Sequence, residues 1–374
     1  MGSTVRLDRR QASADVGWLR GGKRLNVRYL ALFLLVGIGM AAEGLLAPAA
    51  AQAGSGNSSD WVVPRMADGH PDLQGNWSNA TLTPLQRPSG RAAVLTAEEV
   101  ANIEQGRESI VIERAAATDP DREAPPAGGT DPICIDAPTT CYNEIYIDPG
   151  TRVAVVNGEP RSSLVTMPAN GRVPRLTAEA RERGAEARKI TSQFGPSDHP
   201  ELRPIAERCL VSFGSNAGPP MLPNGWYNNN YTIVQTADHV LIMAEMVHDV
   251  RIIRFGDGPR LPPHIRPWLG DSWGHWEGDV LVVETTNLHP LQLYTSEKMK
   301  VTERFSRVAE DALLYEFTID DPTTYTEPWG GQVPMLALGD KLYEYACHEG
   351  NYALSNILMG ARYEERIESE GSRD

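Results

Sequence analysis

Apolar and polar positions alternate in short runs through the second half of the chain. Residues 231–235, 240–246 and 250–255 are rich in β-branched and aromatic side chains, parted by Ala237-Asp238 and His248-Asp249 and closed by Gly256-Asp257-Gly258. Residues 271–276 and 280–287 flank Glu277-Gly278-Asp279, 300–308 and 313–320 meet around Glu310-Asp311, and 342–347 reads as a last strand. Short strands with tight turns between them predict an antiparallel meander. No helix-length apolar pattern interrupts them, which argues against a parallel sheet. A meander of about eight strands either closes into a barrel or leaves edges that must be covered. A sandwich or an open, helix-covered sheet is the alternative.

Upstream the rhythm is looser. Residues 54–92 are rich in Gly, Pro, Asn and Ser. Thr96 with Glu99 forms a capping box, so a helix is expected from 97 to about 116. A proline- and glycine-rich loop fills 117–141. Residues 143–147 and 153–156 suit a hairpin around Asp148-Pro149-Gly150, and 163–167 a strand ending at Pro168. Thr177 caps a polar helix over 178–193. The tail, 351–368, spaces Ala353, Leu354, Ile357, Leu358 and Ala361 as an amphipathic helix that packs on the barrel or plugs one end. The expectation is a mainly β protein. Its parts are a leader (1–53), a loop-rich and helical segment (54–141), a barrel domain (142–350) and a helical tail (351–374).

The leader has the three parts of an export signal: a basic stretch with Arg20, Lys23, Arg24 and Arg28, an apolar run over 29–42, and Ala51-Gln52-Ala53 at a cleavage position. The run is shorter than the ~20 apolar residues of a spanning helix. Cleavage after Ala53 leaves a periplasmic or secreted protein with no membrane contact. The chain carries 35 Lys+Arg against 49 Asp+Glu, a net charge of −14, and losing the basic leader deepens that excess. Such a surface disfavours nucleic acid, which needs a basic face. Cys134, Cys141, Cys209 and Cys347 are an even set in an oxidising compartment and read as two disulfides, Cys134 with Cys141 and Cys209 with Cys347, although other pairings stay open.

Several runs occur together: DLQGNW at 72–77, YNEIYID at 142–148, SSLVTMPANGRVP at 162–174, HDVRII at 248–253, GDSWGHWEGDVLVVETTN at 270–287, ERF at 303–305 and YEYACHEGNYAL at 343–354. They resemble a broad family of exported bacterial proteins. The resemblance implies export and brings no reaction with it. Cys134 and Cys141 lie outside its pattern. Gly75-Asn76-Trp77 is also similar to the Gly-x-Trp near the first strand of calycins, the lipocalin-like barrels. That similarity implies a calycin-like barrel with a few peripheral helices.

Candidate chemistry lies where polar residues interrupt strands. His248-Asp249, with Arg251 just after, is either a capped turn or a general acid–base pair with an anion anchor. Alternation puts Asp271, Trp273 and His275 on one strand face, which suits a shared polar site or an aromatic core with His275 at its rim. Glu303 lies inside a strand; if buried it needs a partner. His348, Glu349, Asn351 and Tyr352 cluster after Cys347, as a site or as a strand-to-helix junction with Asn351 as N-cap. His248, His275 and His348 with a carboxylate form a conceivable metal set, but no ligand pair has a diagnostic spacing, so no cofactor is expected. The chain has no G-x-S-x-G, no Walker loop and no dinucleotide glycine motif. Two functions follow. One is an enzyme acting by acid–base chemistry on a small organic molecule in a polar-lined barrel cavity, as a lyase, isomerase, hydratase or hydrolase. The other is a non-catalytic carrier of an apolar small molecule. Several convergent titratable groups would mark the enzyme, and an apolar pocket with one or two polar contacts the carrier.

Overall fold

The computed structural model describes residues 61–115, 148–212, 217–225, 228–292 and 296–371. The leader, the expected strand over 143–147, and Cys134 and Cys141 lie outside the described residues.

Nine strands close into a barrel: β1 (Gly75–Ser78), β5 (Asn230–Gln235), β6 (His239–Ala244), β7 (Val250–Phe255), β8 (Asp271–Glu277), β9 (Val280–Thr286), β10 (Lys300–Ala309), β11 (Ala312–Asp320) and β12 (Trp329–Ala337). β1 pairs with β5 on one side and β12 on the other, which completes the ring. The short strand β4 (Val165–Met167) adds to the other end of β12. β2 (Val155–Val156) and β3 (Glu159–Pro160) form a separate hairpin. Its turn is Asn157-Gly158, both with positive φ (53° and 77°). That is the geometry an Asn-Gly pair adopts readily.

The expected all-antiparallel order fails at one pair: β7 and β8 run parallel. Parallel neighbours need a connection long enough to return to the same end, and 256–270 provides it. It lies over the outer wall, where Leu261 N–H donates to Asp271 and Asn287 donates to the Leu261 carbonyl.

The last strand is also corrected. Residues 342–347 alternate but form no strand, and Tyr343 is 82 % exposed. Ring closure leaves no sheet edge for them. Their polar groups bond elsewhere, with Tyr343 N–H donating to Glu245 Oε1 at 3.0 Å. The place is taken by β12, whose two glycines and Pro334 hide its strand character. Gly331 sits so close to β4 that a Cβ would overlap the Leu164 carbonyl oxygen. Pro334 stands opposite Leu314 of β11, and on its other side it falls between the stretches of β12 that pair with β4 and with β1, where no ladder N–H is needed.

The helices are α1 (Ala97–Ala115), α2 (Ala178–Thr191) and α3 (Tyr352–Gly371). Thr96 and Glu99 exchange the two bonds of a capping box, and Thr177 Oγ1 accepts from Ala180 N–H. α3 buries no residue fully, so it neither plugs the barrel nor enters the core. Large side chains fill the barrel interior, among them Trp77, Tyr231, Phe305, Tyr315, Phe317 and Trp329.

Candidate functional site

The strand registers put the start of β5, the end of β6 and the starts of β7 and β8 at one end of the barrel. His248 and Asp249 lie there, in the turn from β6 to β7. Val247 and His248 both have positive φ (62° and 46°). That region is costly for a β-branched residue and persists only where the surroundings enforce it. The buried Glu245 does so: its carboxylate accepts from Asn230 Nδ2 at 2.9 Å and from Tyr343 N–H, and its carbonyl accepts from His248 N–H at 3.1 Å. His248 Nδ1 lies 2.9 Å from the Tyr345 carbonyl oxygen. A carbonyl only accepts, so Nδ1 carries the proton and Nε2 is the acceptor of the neutral ring. Burial pushes the half-buried Asp249 carboxyl up to about 6, with the His248 charge opposing. Its Oδ2 is buried without a hydrogen-bond partner.

The tail brings a second segment to this end. From β12 the chain crosses β1, where Asn76 donates to the Asp340 carbonyl, and reaches Glu245 and His248. Cys347 then bonds Cys209, with Cα atoms 5.7 Å apart. This is the expected long-range disulfide. A groove of about 660 Å³ opens around it, walled by Ala206, Glu207, Cys209, residues 344–347 and the first turns of α3. Its wall is largely apolar, with Ala346, Ala353, Leu354 and Ile357, and its polar groups include Glu344 and Asn351. Asn351 is the N-cap of α3: Leu354 N–H donates to its Oδ1 at 3.3 Å, and its Nδ2 donates to the Glu207 carbonyl at 2.7 Å. Its place is therefore fixed by a structural role. His348, Glu349 and Tyr352 are exposed beside it.

The other expected site residues lie elsewhere. Arg251 and Glu303 are 2 % and 0 % exposed and face each other inside the barrel. They form a two-pronged pair, one bond being Arg251 Nη2 to Glu303 Oε1 at 2.9 Å. Tyr315 hydroxyl donates to the same Oε1 at 2.9 Å. Burial alone would lower the Arg251 pKa, but the Glu303 carboxylate outweighs it and holds the guanidinium above its ordinary value. Burial raises the Tyr315 and Tyr231 hydroxyls. These groups sit among packed side chains.

Asp271 and Trp273 belong to the outer wall under the 256–270 connection. Asp271 accepts from Arg254, from Leu261 N–H and from the Trp273 indole at 3.1 Å. Arg254 and Arg260 lie over the Trp273 ring, 4.6 and 5.3 Å from its centroid. His275 is exposed near the opposite end of the barrel, bonded to Glu277 at 3.3 Å. The single convergent site expected from His248, Asp249, Arg251, His275, His348 and Glu349 is therefore split. The structure gathers His248, Asp249 and the 345–351 segment at one end, puts Arg251 inside, and separates His275. An up-and-down chain alternates ends, and β8 carries His275 away from the end where it starts.

Residues missed by the sequence reading include Glu245, Glu344 and Tyr345. Glu245 alone had a local signal, as a carboxylate interrupting the apolar run 240–247. Among the described residues no group of three or more His, Cys, Asp or Glu is placed to hold a metal ion, and no helix is long and apolar enough to cross a membrane. No protein-family model, curated protein or solved structure matches this chain.

Proposed function

We propose that this is an exported binding protein that holds a small amphiphilic amine in the groove beside the Cys209–Cys347 disulfide. The observation that carries the reading is the groove itself. Its volume of about 660 Å³ suits a small organic ligand, and its wall is apolar with few polar groups. That composition favours a carrier over an enzyme. The charge class follows from Glu344. Glu207, which also lines the groove, is already paired with Arg203 at 2.8 Å, whereas no salt bridge is formed by Glu344 among the described residues. The net charge of −14 adds a field that attracts cations.

The test is calorimetric titration of octylamine, with octanol as the uncharged control. Octylamine should bind more tightly than octanol. Glu344→Gln should remove the difference, and Leu354→Asp should abolish both. Failure of octylamine to bind, or binding indifferent to both variants, would end this reading. Export is tested separately by the intact mass of the secreted chain, which should begin at Gly54.

Acid–base catalysis is the second reading, and one observation favours it. The Asp249 carboxyl, raised to about 6, neighbours a histidine whose Nδ1 is bonded to groove residue Tyr345. Under this reading the molecule retained by natively purified protein is converted on incubation. His248→Ala would then stop conversion while leaving retention intact.

A further inference from the structure

Residues 217–222, Ala-Gly-Pro-Pro-Met-Leu, are buried throughout yet belong to no strand or helix. The loop is held against the barrel by side chains. Met221 N–H donates to the Tyr315 hydroxyl oxygen at 2.9 Å, and the Met221 carbonyl accepts from Asn79 Nδ2 at 3.2 Å. The Gly218 carbonyl accepts from Gln292 Nε2 at 2.8 Å. Asn79 follows β1 directly, so the loop covers the same end of the barrel as the β6–β7 turn.

The groups that seat Met221 belong to the buried charge cluster. Tyr315 also donates to Glu303, which pairs with Arg251. Asn79 Nδ2 lies 3.2 Å from the Tyr231 hydroxyl, and Tyr231 in turn lies in the field of the Arg251 guanidinium. Two polar atoms of the cluster are buried without a hydrogen-bond partner: Arg251 Nε and Asn79 Oδ1. Such atoms are uncommon in folded proteins. The orientation of Asn79 is set by chemistry, because the Met221 carbonyl only accepts and so requires the amide nitrogen on its side. Oδ1 then points away as an unfilled acceptor. The cluster therefore offers an unfilled donor, an unfilled acceptor and the two groups that now bind a peptide N–H and C=O. It presents no net charge, since Glu303 cancels Arg251.

We propose that this cluster is an internal binding site for a neutral carboxamide, that loop 217–222 is its lid, and that the Met221 backbone stands where the ligand's amide binds. The ligand's N–H takes the place of the Met221 N–H at Tyr315 Oη, and its carbonyl takes the place of the Met221 carbonyl at Asn79 Nδ2. An aromatic or aliphatic substituent takes the space of the Met221 side chain, which is now wholly buried. A carboxylate is excluded, since it offers no N–H to Tyr315 Oη and would enter as an unpaired buried charge.

The experiment is saturation-transfer NMR on the full disulfide-bonded chain with benzamide, and with benzoate as the charged control. Benzamide should bind and benzoate should not. Gln292→Ala removes the bond to Gly218, raises the population of open lid, and should tighten benzamide several-fold. The same variant should speed hydrogen exchange at the Met221 amide. Leu354→Asp, which puts a charge into the apolar wall of the disulfide groove, should leave benzamide binding unchanged and so separates this site from the first. Absence of benzamide binding to both wild type and Gln292→Ala overturns the proposal. So does a crystal structure with an ordered water bonded to Arg251 Nε and Asn79 Oδ1, if the Met221 amide also exchanges only on global unfolding, since the loop is then a fixed part of the core.

Discussion

Replacing Glu303 with Leu strands Arg251. The guanidinium is 2 % exposed, loses both bonds to the carboxylate and cannot shed its proton. Removing one partner of a buried pair costs about 3–5 kcal/mol. Tyr315 hydroxyl also loses its acceptor, which adds about 1 kcal/mol. Glu303→Leu should therefore destabilise the fold by about 4–6 kcal/mol, a large share of the 5–15 kcal/mol typical of a domain. The double variant Arg251→Met/Glu303→Leu leaves no buried charge. It should lie within about 1–2 kcal/mol of wild type, because well-packed apolar replacements of such pairs are often neutral. Equilibrium urea unfolding of the disulfide-intact protein measures both, and the double-mutant cycle should give a coupling of about 3 kcal/mol or more. A double variant as unstable as the sum of the single ones would refute the reasoning. A cost below about 1 kcal/mol for Glu303→Leu would do the same, because it would mean that water reaches the pair.

Three further predictions rest on other contacts. Cys209→Ser/Cys347→Ser opens a link between residues 138 apart and should lower stability by about 5 kcal/mol in the chain-entropy picture; an unchanged urea midpoint would contradict it. Asp249 titrates at about 6 in the fold against an ordinary 3.8, so the folded state keeps its proton longer and stability falls as pH rises from about 4 to about 6. That shift is worth about 3 kcal/mol undiscounted and about 1–2 after solvent screening. Asp249→Asn should regain that amount at pH 8 and nothing at pH 3, and equal effects at both would rule out this origin. Gly331→Ala should separate β4 from β12 at a cost of about 1–3 kcal/mol, seen as lost exchange protection of the Gln332 N–H that now donates to the Leu164 carbonyl at 2.9 Å.

Most barrel strands were legible in the sequence because alternation is a local property. β5 to β7 and β8 to β11 follow the apolar rhythm within a residue or two at each end. The caps at Thr96 and Thr177 were also readable, since each depends on residues within one turn. The same local rule failed where tertiary context decided. Residues 342–347 have the strand rhythm, but β1 and β12 had already closed the ring. Residues 329–337 lack that rhythm, but their glycines and proline match the partners on either side. The site divided in the same way. His248, Asp249, Arg251 and Glu303 stand out in the sequence as polar residues that interrupt strands. Nothing local says that Arg251 and Glu303 face each other across the barrel, or that His248 meets a carbonyl 97 residues away. Which residues share an end depends on the direction of every strand between them. One long connection, 256–270, was enough to make β7 and β8 parallel and so to set where His275 lies. Pairing partners and connection paths are properties of the closed ring, and only the folded chain decides them.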